Sequence, residues 1–245
     1  TRTKEGEIMK GIDVSAHNGA ICWQSVRADG IEFAILRAGY GRHPKQKDAR
    51  FEENYTAATA AGIPLGAYWY SYATTVAEAE QEAAVCISML RGKQFAFPIY
   101  FDLEEAAALA TGKGNCSAMV RAFCNALEQA GYWAGFYTSR SVLSSHIDDT
   151  IKTRYALWAA EWGEKLHYNG TVGIWQHSER GAVRGVSGNV DLDLCYIDYP
   201  ARIRAKGLNG FESAESLPTP PAMSEEIPVT LTVSGTTYSG TLKQT

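Results

Sequence analysis

Short apolar runs bounded by turn residues alternate with longer segments whose apolar positions recur at helical spacing along most of the chain, the pattern of parallel strands joined by crossover helices. Residues 9–14, 33–38, 65–70 and 95–101 read as the first four strands. Residues 51–61 and 76–90 read as helices, the first ended by Gly62 ahead of Pro64. Ser117 is placed to cap a helix that runs to Ala130 and stops at Gly131, and residues 133–137 follow as a fifth strand. Residues 155–160, 172–176 and 190–195 supply three more.

Eight strands are enough to close a barrel. The connections among the last three are too short, or too rich in glycine and charge, for full packing helices, so the expected fold is an α/β, modified TIM-like barrel. A doubly wound open sheet is the alternative, but Gly39-Tyr40-Gly41 is too short to be its glycine-rich dinucleotide loop. No repeat of fixed period is visible. Composition changes after Pro200: residues 200–212 read as a closing helix, which puts the barrel at 9–212. The proline-rich stretch around Leu217-Pro218-Thr219-Pro220-Pro221 marks a linker over 213–226. Residues 227–245 are expected to be a β-hairpin tail or a fragment of a second module, its strands 229–233 and 238–242 meeting around Ser234-Gly235-Thr236-Thr237. Val229, Leu231 and Val233 alternate with threonines there, an apolar stripe that predicts self-association through the tail.

Charge narrows the partners. The 245 residues carry 27 acidic and 23 basic side chains with no basic run, so no nucleic-acid partner is expected. The five scattered cysteines form no metal-spaced set, and their odd number fits a reducing compartment better than a disulfide framework. Neither a metal nor a cofactor is expected. No apolar run approaches the roughly 20 residues of a membrane span, so membrane insertion is not expected either. Residues 1–8 lack the pattern of a secretion signal and are expected to lie outside the barrel.

The carboxyl ends of barrel strands are where chemistry sits in this fold class. Asp13 lies near the end of the first strand, Asp102 and Glu104 follow the fourth, and Asp191 and Asp193 lie on the eighth, which closure makes a neighbour of the first. In Tyr100-Phe101-Asp102-Leu103-Glu104, period-two geometry sends both carboxylates the same way. Like charges so close predict one proton-holding acid and one ionised partner, the arrangement that glycosidic cleavage requires. Arg37 ends an otherwise apolar strand and is expected to pair with a carboxylate. Tyr68, Tyr70 and Tyr72 with Trp69, Tyr137 on the fifth strand, and Trp158, Trp162 and Trp175 later supply planes on which sugar rings stack, although many of these aromatics must be core. Gln176 and His177 end the seventh strand, where an amide can orient a sugar substituent. His17 could serve as a base by type. No Gly-x-Ser-x-Gly elbow supports acyl transfer.

These residues carry a resemblance. Gly11-Ile12-Asp13-Val14-Ser15, Phe33-Ala34-Ile35-Leu36-Arg37-Ala38-Gly39, Gly66-Ala67-Tyr68-Trp69-Tyr70, Tyr100-Phe101-Asp102-Leu103-Glu104, Leu157-Trp158-Ala159-Ala160, Ile174-Trp175-Gln176 and Val190-Asp191-Leu192-Asp193 occur in the order found in glycoside hydrolase family 25 lysozymes, the muramidases of bacterial secretions and phage endolysins. The chain resembles that family over roughly residues 10–198. The resemblance implies five β/α units followed by three strands lacking full helices, and hydrolysis of the β-1,4 bond between N-acetylmuramic acid and N-acetylglucosamine in peptidoglycan glycan strands. It implies Glu104 as proton donor, Asp102 as its partner, and Asp13 and Asp191 as further cleft carboxylates. It also implies work at the cell wall, outside the cell or, for an endolysin, after synthesis in a host cytoplasm. Asp193 stands where the family often has asparagine. The residues alone leave open a chitinase-like or endo-N-acetylglucosaminidase barrel, whose usual extra aspartates are replaced here by Ala96-Phe97-Pro98-Ile99, and a barrel that binds wall glycan without cutting it.

Overall fold

The computed structural model describes residues 8–212 and 226–243. Eight strands close in chain order into a barrel: β1 (Met9–Val14), β2 (Phe33–Tyr40), β3 (Leu65–Tyr70), β4 (Ile99–Asp102), β5 (Ala134–Ser139), β6 (Ala156–Ala160), β7 (Ile174–Gly181) and β8 (Val190–Cys195). The helices are α1 (Trp23–Ala28), α2 (Phe51–Ala60), α3 (Val76–Leu90), α4 (Ala106–Leu109), α5 (Lys113–Gln129), α6 (Arg140–His146), α7 (Asp149–Arg154) and α8 (Tyr199–Ala205). No helix lies between β6 and β8.

One strand departs from the parallel pattern. β8 runs antiparallel to both β7 and β1, with Asp191 opposite Asp13 and Asp193 opposite both Gly11 and Gln176. Reversal brings the start of β8, rather than its end, to the mouth of the barrel. That is why Asp191 arrives beside Asp13 while Cys195 lies at the other end.

Other boundaries moved for local reasons. β4 starts at Ile99, because Pro98 has no N–H to give the ladder, while Phe95 N–H and Phe97 N–H donate to Asn209 O and Leu65 O. α5 begins at Lys113 behind Gly112, whose φ of 86° suits only glycine; Ser117 is buried inside the helix, its Oγ accepting from Asp148 N–H at 2.9 Å. The closing helix is shorter than expected, ending at Ala205.

Strand alternation makes two cores. Outward residues such as Ile12, Leu36, Ala67, Phe101, Phe136 and Leu157 pack under the helices. Inward residues Phe33, Ile35, Tyr100, Trp158 and Ile174 fill the barrel with Phe97 and Tyr199. Phe33 and Phe97 stack at 4.5 Å, and Tyr100 meets Trp158 edge-on at 5.3 Å. Glycine makes room for these rings: a Cβ on Gly11 would lie 2.3 Å from Phe33, and one on Gly135 would lie 2.6 Å from Tyr100.

The second compact unit holds β9 (Glu226–Val233) and β10 (Thr236–Lys243), paired antiparallel. The turn is two residues long rather than four, Ser234 and Gly235 both having positive φ (50° and 82°), which matches the twist of a tight hairpin. Linker residues 213–225 and the last two tail residues lie outside the described residues.

Candidate active site

The mouth of the barrel opens into a cleft of about 760 Å³. Every strand contributes inward residues toward its mouth end: Asp13 from β1, Arg37 from β2, Tyr68 and Tyr70 from β3, Asp102 from β4, Tyr137 from β5, Trp158 from β6, Gln176 from β7 and Asp191 from β8. Glu104, two residues past Asp102, lines the same cleft. Leu103 between them is fully buried, its N–H donating to Tyr137 O, so the alternation expected from sequence holds past the end of the strand. Ten of the eleven expected site residues therefore converge.

Trp175 does not. It follows Ile174 and precedes Gln176, both of which face inward, so period two turns it outward into the helix-side core, where its Nε1–H donates to Glu161 O at 2.8 Å.

The aromatic and amide groups form one network. Gln176, 4% exposed, donates from Nε2 to Asp13 Oδ2 at 2.8 Å, and its Oε1 accepts from Tyr137 Oη at 3.0 Å and Trp162 Nε1 at 3.1 Å. Its orientation is thereby fixed, and Asp13 is held. Trp158 lies beneath, with Tyr137 against it at 4.5 Å and its Nε1–H donating to Asp193 Oδ1 at 2.8 Å. On the opposite wall Tyr70 Oη donates to Glu105 Oε2 at 3.0 Å, and Tyr72 packs against both Tyr70 and Tyr40. Arg37 finds the carboxylate expected for it: Nε donates at 2.7 Å to Asp48, which also accepts from Ala16 N–H and Arg50 N–H.

Sequence reading missed Asp48, Tyr40 and Glu179 as parts of this region. Glu179 and Tyr40 line the cleft, and Glu179 sits on the extension of β7 past its expected end. Asp48 lies in a loop between β2 and α2; the signal for it was an aspartate three residues ahead of a helix, which reads equally as a turn residue.

Concentrating carboxyls in a partly closed cleft raises their affinity for protons. Burial, then Asp193 and Asp191, hold Asp13 well above the usual carboxylate range. Burial and the Glu104 charge do the same to Asp102, against Arg37. Glu104 is exposed to the cleft, yet loss of surrounding water, Asp191 and Glu105 also raise it. Asp191 is pushed up to about 6 by desolvation and Glu179, and Asp193 to about 8 by burial and Asp191. The expected split into one acid and one ionised partner is thus not visible in the free site, where Asp102 and Glu104 both shift upward. Their surroundings still differ: Glu104 faces open space, whereas Asp102 is 4% exposed with no hydrogen-bond donor reaching Oδ1.

His17 lines the rim, exposed, and no group of three metal-ligating side chains occurs among the described residues.

An aromatic-walled cleft with paired carboxyls at the mouth of a closed barrel is the kind of arrangement that glycosidic cleavage uses. The chain matches the model for glycosyl hydrolases family 25 over residues 12–186 and belongs to that family. It is 32% identical over 198 residues to Lysozyme M1 of Streptomyces globisporus, covering 75% of this chain and 66% of that protein. It is 28% identical over 186 residues to the autolytic lysozyme of Clostridium acetobutylicum, covering 76% of this chain and 55% of the relative. The chain thus spans between about half and two thirds of the length of these relatives. Among solved structures it is similar to the modular autolysin LytC of Streptococcus pneumoniae in complex with a synthetic peptidoglycan ligand (TM-score 0.70, 25% identity, 78% of this chain and 47% of that one).

Proposed function

We propose that this chain hydrolyses the β-1,4 bond between N-acetylmuramic acid and N-acetylglucosamine in bacterial peptidoglycan, and that residues 9–212 are the catalytic barrel. The observation that carries the reading is the unequal placement of Asp102 and Glu104 in one cleft. Glu104, open to the cleft and with raised proton affinity, suits a general acid that gives its proton to the glycosidic oxygen. Asp102, buried and with Oδ1 lacking a donor, suits an acceptor for the N–H of the substrate's acetamido group. Accepting that N–H aims the acetamido oxygen at the anomeric carbon, which it attacks as the bond to the leaving sugar breaks and Glu104 protonates the departing oxygen. Water then opens the cyclic intermediate, giving its proton back to Glu104 and retaining configuration. Asp13 and Asp191 add negative potential where the oxocarbenium-like charge develops. Arg37, Tyr68, Tyr70, Tyr137, Trp158 and Gln176 shape and bind the glycan.

Digestion of purified peptidoglycan, with mass spectrometry of the new reducing ends and NMR of their anomeric configuration, tests the scheme. Reducing-end N-acetylmuramic acid released as the β-anomer is expected. Reducing-end N-acetylglucosamine would mean an endo-N-acetylglucosaminidase instead, and no new ends would mean a barrel that only binds. A β-product argues for retention and an α-product for inversion by a directly attacking water.

The tail is read separately. A two-stranded sheet is marginal in water, and among the described residues each of its strands has one unpaired edge. We infer that it pairs with the tail of a second copy. Light scattering of the full chain and of a version ending at Glu215 checks this: dimer for the first and monomer for the second is expected, and two monomers end the idea.

A further inference from the structure

Below the cleft floor lies a carboxyl that the hydrolytic scheme does not use. Asp193 is 1% exposed. Its position on β8 faces Gly11 on β1, which offers no side chain, and Gln176 on β7, whose amide is already committed to Asp13, Tyr137 and Trp162. Oδ1 accepts from Trp158 Nε1; Oδ2 has no donor at all. The charged and titratable groups around it are Asp13 on β1, Tyr100 on β4, and Asp191 and Cys195 on β8 itself, while β6 and β7 present the neutral Trp158 and Gln176. No cation is among them. Arg37, the cation in the cleft, is engaged by Asp48.

A buried carboxylate without a counter-charge is costly, and its cheapest remedy is a proton. The inward residue after Gly11 on β1 is Asp13, held by the amide of the same Gln176 that Asp193 faces, so the two carboxyls are neighbours and the Asp193 charge raises Asp13's hold on its proton. Two ionised carboxylates have only acceptors to offer each other, so neighbours this deeply buried are relieved by a hydrogen between them.

We propose that Asp13 and Asp193 form a carboxyl pair sharing one proton, in which Asp193 is a positioning residue: the shared hydrogen and the Gln176 amide together clamp Asp13 in one orientation under the substrate, and the pair carries one negative charge instead of two. The functional half of this inference rests on the glycan-hydrolase reading; the shared proton does not. Asp13 thereby keeps a single defined charge at the mouth, and the barrel avoids two anions in its interior. The titration belongs to the pair rather than to either residue. Loss of the shared proton in alkali would put two anions in contact, so the pair destabilises the fold as pH rises past neutrality.

Asp193→Asn keeps shape, accepts from Trp158 and offers an N–H to Asp13, but cannot share a proton. Infrared difference spectra of full-length wild type and Asp193→Asn at neutral pH are expected to show one protonated carboxylic acid fewer in the variant. The thermal midpoint of Asp193→Asn relative to wild type is expected to rise between pH 7 and pH 9, where a purely packing role would give a constant difference. On peptidoglycan, Asp193→Asn is expected to stay within about threefold of wild type, whereas Asp193→Leu, which removes every polar contact, loses roughly tenfold or more. Identical infrared spectra, or a stability difference independent of pH, would overturn the shared proton. Equal activity losses in the Asn and Leu variants would overturn the positioning role. If wild type fails to cut peptidoglycan, the functional reading falls, and the infrared and stability measurements still decide whether the pair exists.

Discussion

The floor and the mouth of the barrel draw on inward positions of the same strands at different heights, Phe33 below Arg37 and Tyr100 below Asp102, and do opposite things. At the floor Phe33, Phe97, Tyr100 and Tyr199 interlock as an apolar core. At the mouth the next inward residues are Asp13, Arg37, Asp102, Gln176 and Asp191. Floor residues gain by leaving water, since each large aromatic buried is worth about 2–3 kcal/mol. Mouth residues lose by it, as the raised proton affinity of Asp13, Asp102, Glu104 and Asp191 records. A closed ring of strands lets the first region hold the second in a geometry that the carboxyls would not adopt alone.

The largest break in this contrast is expected from Glu104→Gln. Removing the transferable proton should lower peptidoglycan hydrolysis by about 10²–10⁴. Because a group whose proton affinity is raised by folding resists ionising at neutral pH, its neutral replacement should leave the thermal midpoint unchanged or higher. Reducing-end release and a melting curve measured together check both halves. A folded variant with near-normal turnover would remove Glu104 from the chemistry.

Legibility from sequence follows the same division. β1, β3, β8 and α3 lie within the residues expected for them, since their apolar runs have sharp ends. The Asp102–Glu104 alternation was legible because period two is set by the backbone. The same rule separates Trp175 from Gln176, and placing both in the site contradicted it. The direction of β8 left no mark in the chain: Val190-Asp191-Leu192-Asp193 alternates identically read either way, and only pairing with β1 and β7 decides which aspartate reaches the mouth. α1, α6 and α7 were missed because each holds only six or seven residues, too few to display a helical period. Proton affinities were illegible for a related reason, since they depend on depth: Asp191 and Asp193 are two residues apart, yet burial holds the deeper one at about 8 and the other at about 6.

The floor is best tested at Gly135. Alanine there would bring Cβ to 2.5 Å from Ala156 O and 2.6 Å from the Tyr100 ring. Overpacking of this kind costs about 1–3 kcal/mol, so the midpoint should fall by several degrees while turnover per folded molecule stays within a few-fold. An unchanged midpoint would mean that the floor yields more easily than its packing implies.

Up to about pH 9, pH acts chiefly through the carboxyls in and just below the mouth, with the buried Glu82 of α3 shifted in the same direction. Carboxyls whose proton affinity rises on folding contribute stability that is complete below their unfolded values, near 4, and disappears as pH climbs through the folded ones, about 6 for Asp191 and about 8 for Asp193. Carboxylates shifted the other way, such as Asp29 and Glu78, lie at the surface and oppose this only weakly. The thermal midpoint should therefore fall from pH 5 to pH 8, the reverse of a protein held by surface ion pairs. Calorimetry across that range decides it.

The smallest effect is expected at Trp162, where the mouth passes into a second groove along β7. Its side chain is 56% exposed, unusual for so large a ring, yet the indole is not loose, because Nε1–H donates to Gln176 Oε1. Both the main cleft and the neighbouring groove are lined by Trp162 and Glu179. A fixed aromatic face at that junction suits a sugar ring beyond those held over the carboxyls, and such stacking is worth about 0.5–1.5 kcal/mol. Trp162→Ala should therefore raise KM roughly two- to tenfold on long glycan strands, change kcat little, and matter least on the shortest cleavable oligomer. Phenylalanine keeps the face and loses the hydrogen bond. If Phe restores KM, the ring itself binds sugar; if Phe behaves as Ala, the indole acts by holding Gln176 and through it Asp13. An equal loss on short and long substrates would place Trp162 with the mouth rather than beyond it.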